Sequence, residues 1–196
     1  IKKALTDLGI SHDSSTPHHP ESNGAAERAV RRVREGTSAC LVQSGLSPLW
    51  WASAMECFCF LKSALDRNVA GKSAHEERFG VVFPGPLVPF GAAVNYKPSD
   101  PTELNELHAM SASVKPGLFI GCAQQAGVGW IGDVFVICQQ NLQNSERHSE
   151  VHIKRLPAVQ MNVLKEKDQF IFPVFELHIF AARCSISSCL LYTSPS

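Results

Sequence analysis

The sequence lacks three features that would each indicate a function: net charge, a zinc-ligand motif and a long apolar run. Its 18 lysines and arginines balance 18 aspartates and glutamates, so only a local cluster of charge could point to a nucleic acid or a membrane. Its seven cysteines include no Cys-x-x-Cys pair and no matching pair of histidines, which leaves a zinc finger unsupported. No apolar run is long enough to span a bilayer. These absences favour a reduced, intracellular chain without a membrane partner.

The sequence also has no initiator methionine and no signal-peptide core in residues 1–10, IKKALTDLGI. This segment begins in the middle of a helical pattern, and we expect the chain to be a piece of a longer protein. With 196 residues and 44% hydrophobic content it can still bury a core. The last residues, ARCSISSCLLYTSPS, fit no periodic template and resemble translated adapter sequence, so Cys184 and Cys189 are set aside.

A proline-rich loop separates two helical patterns near the start of the chain. Residues 1–8 are predicted to end a helix that Gly9 stops, and the loop DSSTPHHPESNG follows. Its prolines exclude a helix interior, and its final Asn-Gly pair offers positive φ for a sharp turn. From Gly24 to Val42 apolar residues recur at helical spacing and predict one buried stripe: Ala26, Val30, Val33, Thr37, Cys40 and Leu41.

The pattern then changes from helix to loops and strands. Ser47 and Pro48 predict the cap and the first position of a second, more apolar helix that ends at Leu65. Residues 69–115 are predicted to be rich in loops, because the prolines of VVFPGPLVPFG exclude regular structure there. A small antiparallel sheet or barrel is predicted from three runs rich in β-branched and aromatic residues: 117–121, 130–138 and 150–156.

A turn, three glutamates and four arginines lie together in HPESNGAAER and the following AVRRVREG. If the Asn-Gly turn caps the helix, Glu27 falls in the first turn, where the helix dipole favours a carboxylate by about 0.3–1 kcal/mol. Arg31 and Arg34 share the face of Glu27, and residues 25–35 hold four arginines against two glutamates, 4 − 2 = +2. Two interpretations fit: a cap acid beside a solvated basic face with an ordinary Glu27–Arg31 ion pair, or a phosphate-contacting helix with one metal-binding carboxylate.

The longer segment GISHDSSTPHHPESNGAAERAVRRVRE resembles the third-acid segment of retroviral-type integrase catalytic cores, most closely those of long-terminal-repeat retrotransposons. The shared pattern is GI-x-H, S-x-P, P-x-x-NG, then a small pair and ER at the head of a basic helix. Three later segments follow in the order of the copia-like branch, where they are a W-x-x-A helix, a short segment and an FG strand: LWWASAMECF, KSAHEERFG and VPFGAAVNY. PGLFIGCAQQAGVGWIGDVFVI resembles the small β domain after the core, so the resemblance covers about residues 1–160.

The resemblance implies an α/β fold: the C-terminal part of an RNase-H-like integrase core, truncated at its N-terminus, and then a small antiparallel, barrel-like β domain. Residues 1–68 would form the C-terminal half of the catalytic core. Residues 69–115 would be a loop-rich connection and residues 116–160 the β domain. Residues 161–196 would be an unstructured or artefactual tail.

The resemblance also implies a catalytic acid. In such cores two aspartates and a glutamate hold two divalent ions, Mg²⁺ or Mn²⁺, which join element DNA ends to target DNA. Glu27 matches the third acid, as a catalytic residue and metal ligand. The first two acids have no match, since Asp7 falls in the helix before the loop and Asp13 in the loop itself. One carboxylate cannot assemble two ions, so we expect this chain alone to lack the strand-transferase activity of its parent family.

The implied partner is DNA, with a homo-oligomer of the full-length protein acting in the nucleus and no membrane. Basic residues that contact the DNA end in the family are matched by Arg28, Arg31 and Arg34, whose guanidinium groups suit phosphate by bidentate geometry. Three polar residues would lie in the mobile active-site loop, where they can touch DNA: His18, Ser22 and Asn23. For His18 an exposed loop position without a contact is the alternative.

Other interpretations stay open. The two predicted helices could pack as a pair that forms a non-catalytic DNA- or protein-binding module, or the chain could be a degenerate element remnant. The HIKR segment at residues 152–155 could meet DNA or be an ordinary solvated strand face. His75 and Glu76 are expected at the surface of a short helix from Ala74 to Phe79 rather than as a metal pair.

Overall fold

The computed structural model describes residues 6, 7, 9, 24–105, 113–127, 129–145 and 150–177. These residues combine helices with antiparallel sheet, which agrees with the predicted class at the level of mixed helix and sheet. The chain divides into two compact units, residues 1–35 and residues 36–196. Within the described ranges, no helix has both the length and the apolar character needed to cross a membrane.

Helix α1 spans Gly24–Ser44 and begins where the sequence predicts it to begin. It ends where Gly45 takes a left-handed conformation (φ 71°) and donates its N–H to the Leu41 carbonyl oxygen at 3.1 Å. The predicted stripe is buried at Thr37, which is 8% exposed, but Val30 on the same stripe is 68% exposed. The prediction of one buried stripe is therefore wrong for the first half of α1. A helical stripe is buried only where another element covers it, and periodicity alone does not show where that cover stops.

Helix α2 spans Trp51–Leu65 and follows a 3-10 turn at Pro48–Trp50. Ser47 caps this turn as predicted, and its Oγ accepts a hydrogen bond from the Leu49 N–H at 3.4 Å. The predicted apolar helix is confirmed. It enters the core through side chains at helical spacing: Ala54, Cys57, Phe60 and Ala64.

Helix α3 spans Ala74–Phe79, the bounds that the sequence predicts. His75 is only 7% exposed, and its ring packs against Phe79 and Phe83 with centroids 4.8 and 5.4 Å away. The predicted surface position is therefore wrong for His75. A six-residue helix is too short for its pattern to show which side packs against the rest of the chain.

Five strands form one antiparallel sheet. They are β1 (Ala93–Tyr96), β2 (Lys115–Gln124), β3 (Trp130–Cys138), β4 (Ile153–Pro157) and β5 (Met161–Val163). Their order across the sheet is β4–β3–β2–β1–β5. The three predicted strand runs overlap β2, β3 and β4, which confirms the antiparallel sheet. Two short helices interrupt the strands, α4 (Pro101–Asn105) and α5 (Gln139–Asn144).

The sheet curls strongly, because β4 and β5 lie at its opposite edges yet follow each other in the chain through a 3-10 turn, Ala158–Gln160. In a flat five-stranded sheet, edge strands would lie about 19 Å apart, at about 4.8 Å per neighbour. The Cα steps from Pro157 to Met161 span at most about 14 Å. A flat sheet is therefore excluded, and the curl agrees with the predicted barrel-like form.

The inner face of the curled sheet is buried, and so is the part of its outer face that lies under α2. Six residues that share its inner face by register are each less than 5% exposed: Val94, Tyr96, Phe119, Val134, Val136 and Leu156. The outer face of β2 packs against α2, where a Cβ on Gly121 would lie 3.7 Å from the Cβ of Cys57. Leu118 and Ile137, which pair across β2 and β3, are fully buried on that side. The core of residues 36–196 is thus the sheet interior together with the layer under α2.

Two strands lie in segments where the residue patterns predicted none, although the resemblance implied a strand in VPFGAAVNY, which contains β1. β1 falls within residues 69–115 and β5 within residues 161–196. They have four and three residues, too few for an alternating pattern, and they pair with each other at Val94 and Val163. A hairpin of two-residue strands, β6 (Lys165–Glu166) and β7 (Gln169–Phe170), follows β5. Residues 178–196 of the predicted tail lie outside the described residues.

Candidate nucleic-acid interface

The N-terminal half of α1 presents the predicted acid and arginines. Glu27 lies in the first turn of the helix, as the Asn-Gly turn predicted. Every residue from Ala25 to Arg32 is exposed, and so are Arg34 and Glu35. Since this segment is exposed on all its sides, any of its faces can meet a partner.

Helical geometry sorts the charges into two faces. Residues three, four and seven positions apart lie on one side of a helix, so Glu27, Arg31 and Arg34 form a single surface, called here the Glu27 face. Arg28 and Arg32 lie on the neighbouring face. Each face therefore carries two arginines.

The side chain of Arg28 runs back toward the start of the helix. Its Nη1 lies 3.5 Å from the position that a Cβ on Gly24 would take. The first backbone N–H groups of a helix have no intrahelical acceptor, and together with the helix dipole they attract anions. A guanidinium group and the exposed first turn thus lie side by side, an arrangement suited to a phosphate oxygen.

Acids do not neutralise the arginines within residues 24–35. The Glu27–Arg31 ion pair of the simpler interpretation is not formed. Among the described residues, no side-chain hydrogen bond or ion pair engages Glu27 or any of the four arginines of the segment. The guanidinium donors are consequently available to a ligand.

Residues 10–23, which include the predicted His18, Ser22 and Asn23, lie outside the described residues. In the part of the chain that the structure covers, no three His, Cys, Asp or Glu side chains converge on a possible metal position. Glu27 supplies the hard oxygen that Mg²⁺ or Mn²⁺ prefers, but a single exposed carboxylate does not make a site. The described residues therefore do not fit a two-metal centre by themselves.

No protein-family model matches the chain, and no curated protein matches it. The resemblance to integrases accordingly rests on the order and spacing of the sequence motifs alone. The structure adds one fact that the motifs do not contain, which is that this acid and these arginines are exposed on α1.

A second polar cluster, which the sequence did not predict, lies at one mouth of the curled sheet. The Tyr96 hydroxyl donates to Glu103 Oε1 at 2.9 Å, and Lys115 Nζ lies 3.9 Å from the same oxygen. Lys154 Nζ lies 3.0 Å from Glu103 Oε2, as an ion pair rather than a well-aligned hydrogen bond. Glu103 is 8% exposed and Lys115 7%. Burial raises the pKa of Tyr96, and hydrogen bonds with Cys138 and Glu103 raise it further, so the Tyr96 side chain remains a neutral phenol.

Residues 152–155, HIKR, were the only part of this cluster that the sequence analysis had identified as a candidate. Arg155 follows the solvated-face interpretation, since its side chain is 55% exposed and its Nε lies 2.8 Å from Asp133 Oδ2. Lys154 departs from that interpretation, because its register opposite Val136 turns it toward the inner face of the sheet and Glu103. Glu103 itself lies in a segment without a periodic pattern.

The described cysteines are all free thiols: Cys40, Cys57, Cys59, Cys122 and Cys138. Burial raises the pKa of Cys57 well above its usual range and that of Cys122 to about 12. Since the thiolate is the nucleophile, we expect iodoacetamide at mildly alkaline pH to label the exposed Cys59 first, and Cys57 and Cys122 only after unfolding. Peptide mapping by mass spectrometry measures this order. Equal rates at Cys59 and Cys122 in the folded chain would contradict it.

Proposed function

We propose that the chain is part of a retrotransposon-type integrase and that the Glu27 face of α1 contacts DNA. The observation that carries the proposal is the ordered motif from GI-x-H to ER, in which the acid and the arginines that follow it are exposed and unpaired among the described residues. DNA integration is then the process, and the nucleus and a homo-oligomer of the full-length protein are the implied setting.

The exposed apolar stripe of α1 is consistent with this origin. Ala26 and Val30 continue the line of buried Thr37, yet both are exposed. A helix with such a stripe is stabilised when a sheet or another helix covers it. The proposal assigns that cover to an RNase-H-like core, of which residues 1–68 would be the C-terminal part.

The proposed chemistry of the Glu27 face is phosphate binding. Guanidinium groups meet phosphate oxygens in a bidentate geometry, and neutralised phosphates release counterions, which drives binding at low salt. Glu27 would hold a divalent ion only beside the other two acids of a complete site. The role proposed for this chain is therefore DNA binding, and joining of DNA ends belongs to the complete site.

Removing both arginines of the Glu27 face should weaken binding to duplex DNA about 10- to 100-fold, because each charge-assisted contact contributes on the order of 1 kcal/mol. The test compares wild type with Arg31→Ala/Arg34→Ala by fluorescence anisotropy on a labelled duplex, without divalent ions. The matched control removes two exposed charges elsewhere, Lys72→Ala/Lys165→Ala. If both double variants lose the same affinity, binding depends on overall charge and the proposed interface is wrong.

A non-catalytic helical module is the second candidate, and one contact favours it. A Cβ on Gly36 would lie only 2.1 Å from the Phe58 ring, so the C-terminal half of α1 and α2 pack closely at this glycine. Such a module predicts that Glu27→Gln changes no activity of any protein that contains this segment. The integrase proposal predicts that, in a protein with all three acids, Glu27→Gln abolishes DNA joining while DNA binding survives.

A further inference from the structure

A cavity of about 290 Å³ lies between α2 and the outer face of the curled sheet. The described residues that line it come from one side of α2 and from three strands: Ser53, Glu56, Cys57, Ile120, Gly121, Cys122, Phe135 and Ile153. None of these residues belongs to the Glu27 face or to the polar cluster at the mouth of the sheet. Ligand cavities in proteins begin at about 300 Å³ and are mostly apolar. The cavity therefore has the size and the apolar walls of a site for a small ligand.

The register of β2 shifts by one residue at this cavity. In a regular ladder Ile120 would lie opposite Phe135, but Gly121 takes that position instead, so Ile120 is the extra residue of a β-bulge. The bulge thus places a residue without a side chain under α2, which leaves the floor of the cavity open. A Cβ on Gly121 would lie 3.7 Å from the Cβ of Cys57, an ordinary contact distance. A methyl group at Gly121 would therefore fit.

Two polar side chains of α2 lie at the cavity without a partner. Among the described residues, neither the Ser53 hydroxyl nor the Glu56 carboxylate makes a side-chain hydrogen bond or an ion pair. The two residues are three positions apart, so they lie on the same side of α2. Glu56 is exposed, and Ile153 across from α2 is 39% exposed, so the cavity opens to solvent. Both polar groups can therefore accept hydrogen bonds from a ligand.

The charge at the cavity is negative. Glu56 carries the only charge among the described residues that line it. The positions three and four residues before and after Glu56 on α2 hold no charged side chain. Arg155 shares the outer face with Ile153, but its Nε is paired with Asp133 Oδ2 at 2.8 Å. With this pair included the sum is 1 − 2 = −1, which favours a cation over an anion.

We propose that this cavity binds a small organic ammonium compound. Its alkyl chain would leave water for the apolar walls, and its ammonium group would donate to Glu56 and Ser53. The chain must be short, because the cavity lies at the lower limit of ligand-site volumes. The negative rim disfavours phosphate, so the site differs in chemistry from the proposed DNA contacts and does not rest on them.

An NMR titration of the isotope-labelled full chain with pentylammonium, followed through the amide shifts of α2 and β2, tests the site. Wild type should bind saturably, and pentanol, a neutral ligand of the same length, should bind about fivefold more weakly. Glu56→Gln should weaken the binding of pentylammonium about fivefold and leave that of pentanol unchanged, because one exposed ion pair is lost.

The matched control is Glu166→Gln, which removes an exposed glutamate of β6 and should bind pentylammonium as wild type does. Absence of saturable binding to wild type would overturn the proposal. Equal affinity of Glu56→Gln and wild type for pentylammonium would overturn it too.

Gly121→Ala tests whether the ligand enters the cavity or only meets Glu56 at the surface. Its methyl group fits at an ordinary contact distance, so the fold should be kept while the floor loses space. Pentylammonium and pentanol should both bind about fourfold more weakly, since the methyl group displaces about one methylene of the ligand. Unchanged affinity for both ligands would place them outside the cavity and contradict the proposal.

A lysine side chain carries the same ammonium group, and N-acetyl-lysine methylamide separates this source from a small compound. We expect this ligand to bind more weakly than pentylammonium, because its peptide groups would meet the half-buried Phe135 and the exposed Ile153 without hydrogen-bond partners there. Equal or tighter binding would assign the cavity to a lysine of a protein partner and overturn the assignment to a small compound.

Discussion

Replacing Glu103 by alanine should destabilise the folded chain by about 3–5 kcal/mol, because breaking a buried ion pair leaves an uncompensated charge. Glu103 is 8% exposed, and its loss leaves the Lys154 ammonium and the Tyr96 hydroxyl without the carboxylate that they contact. Urea unfolding measures the change in the free energy of unfolding. The cluster closes one mouth of the sheet, so the effect reports on the curl as well as on the ion pair.

The matched control for Glu103 is Glu77→Ala. Glu77 lies on α3, is exposed, and meets only the side chain of Asn68. Surface pairs of this kind contribute about 0–1 kcal/mol, so this variant should unfold close to wild type. A loss below about 1 kcal/mol for Glu103→Ala as well would show that the mouth cluster does not stabilise the fold.

Gly91→Ala should lower the free energy of unfolding by about 2–4 kcal/mol, because alanine is strained at a positive φ and its Cβ would overpack a close contact. Gly91 has φ 77°, and a Cβ there would lie 2.3 Å from the Cβ of Ser44, which is fully buried at the end of α1. The Gly91 N–H also donates to the Phe119 carbonyl oxygen at 2.7 Å, so the backbone cannot move away freely. This glycine therefore lets the end of α1 approach the start of β1.

Gly71→Ala separates the two causes. Gly71 has the same φ of 77°, but a Cβ there would meet nothing within 4 Å. Its substitution should cost only the conformational part, about 1 kcal/mol. Urea unfolding of the two variants gives the steric part as the difference. If the two variants lose the same free energy of unfolding, the contact with Ser44 relaxes without an energetic cost.

The sequence predicted the elements whose signals are local. The start of α1, the cap at Ser47 and the bounds of α3 depend on turn and cap residues, and the structure has them where expected. Residues 134–138 of β3, VFVIC, form a continuous apolar run, and all of them except Phe135 are buried. β5 escaped prediction because it has only three residues and is defined by pairing with β1 across a long stretch of chain. β1 has four residues, and only the resemblance implied a strand there.

Burial of individual residues was harder to predict. The stripe on α1 has the predicted period, but Val30 on it is exposed. A periodic pattern does not show where the covering element ends, so this exposure could not be predicted from the sequence. His75 is buried because α3 packs its ring against Phe83, a contact made outside the helix. Tertiary contacts decided both cases.

The candidate interface was predictable in part. Glu27 falls in the first turn because the helix starts at Gly24, as the sequence predicts, and the arginine spacing then fixes which residues share a face. The mouth cluster was not predictable, because the curl of the sheet brings Glu103 to Lys154 across 51 positions, 154 − 103, of sequence. The HIKR segment marked its basic side without showing that Lys154 turns inward.

Whether the Glu27 face contacts DNA phosphates is tested most directly by the salt dependence of binding. Each lost phosphate contact lowers the slope of log K against log salt concentration by about 0.9 on duplex DNA. Arg31→Ala/Arg34→Ala should therefore bind with a slope smaller than that of wild type by about 2, while Lys72→Ala/Lys165→Ala keeps the wild-type slope. The same slope in all three proteins would contradict the proposed interface.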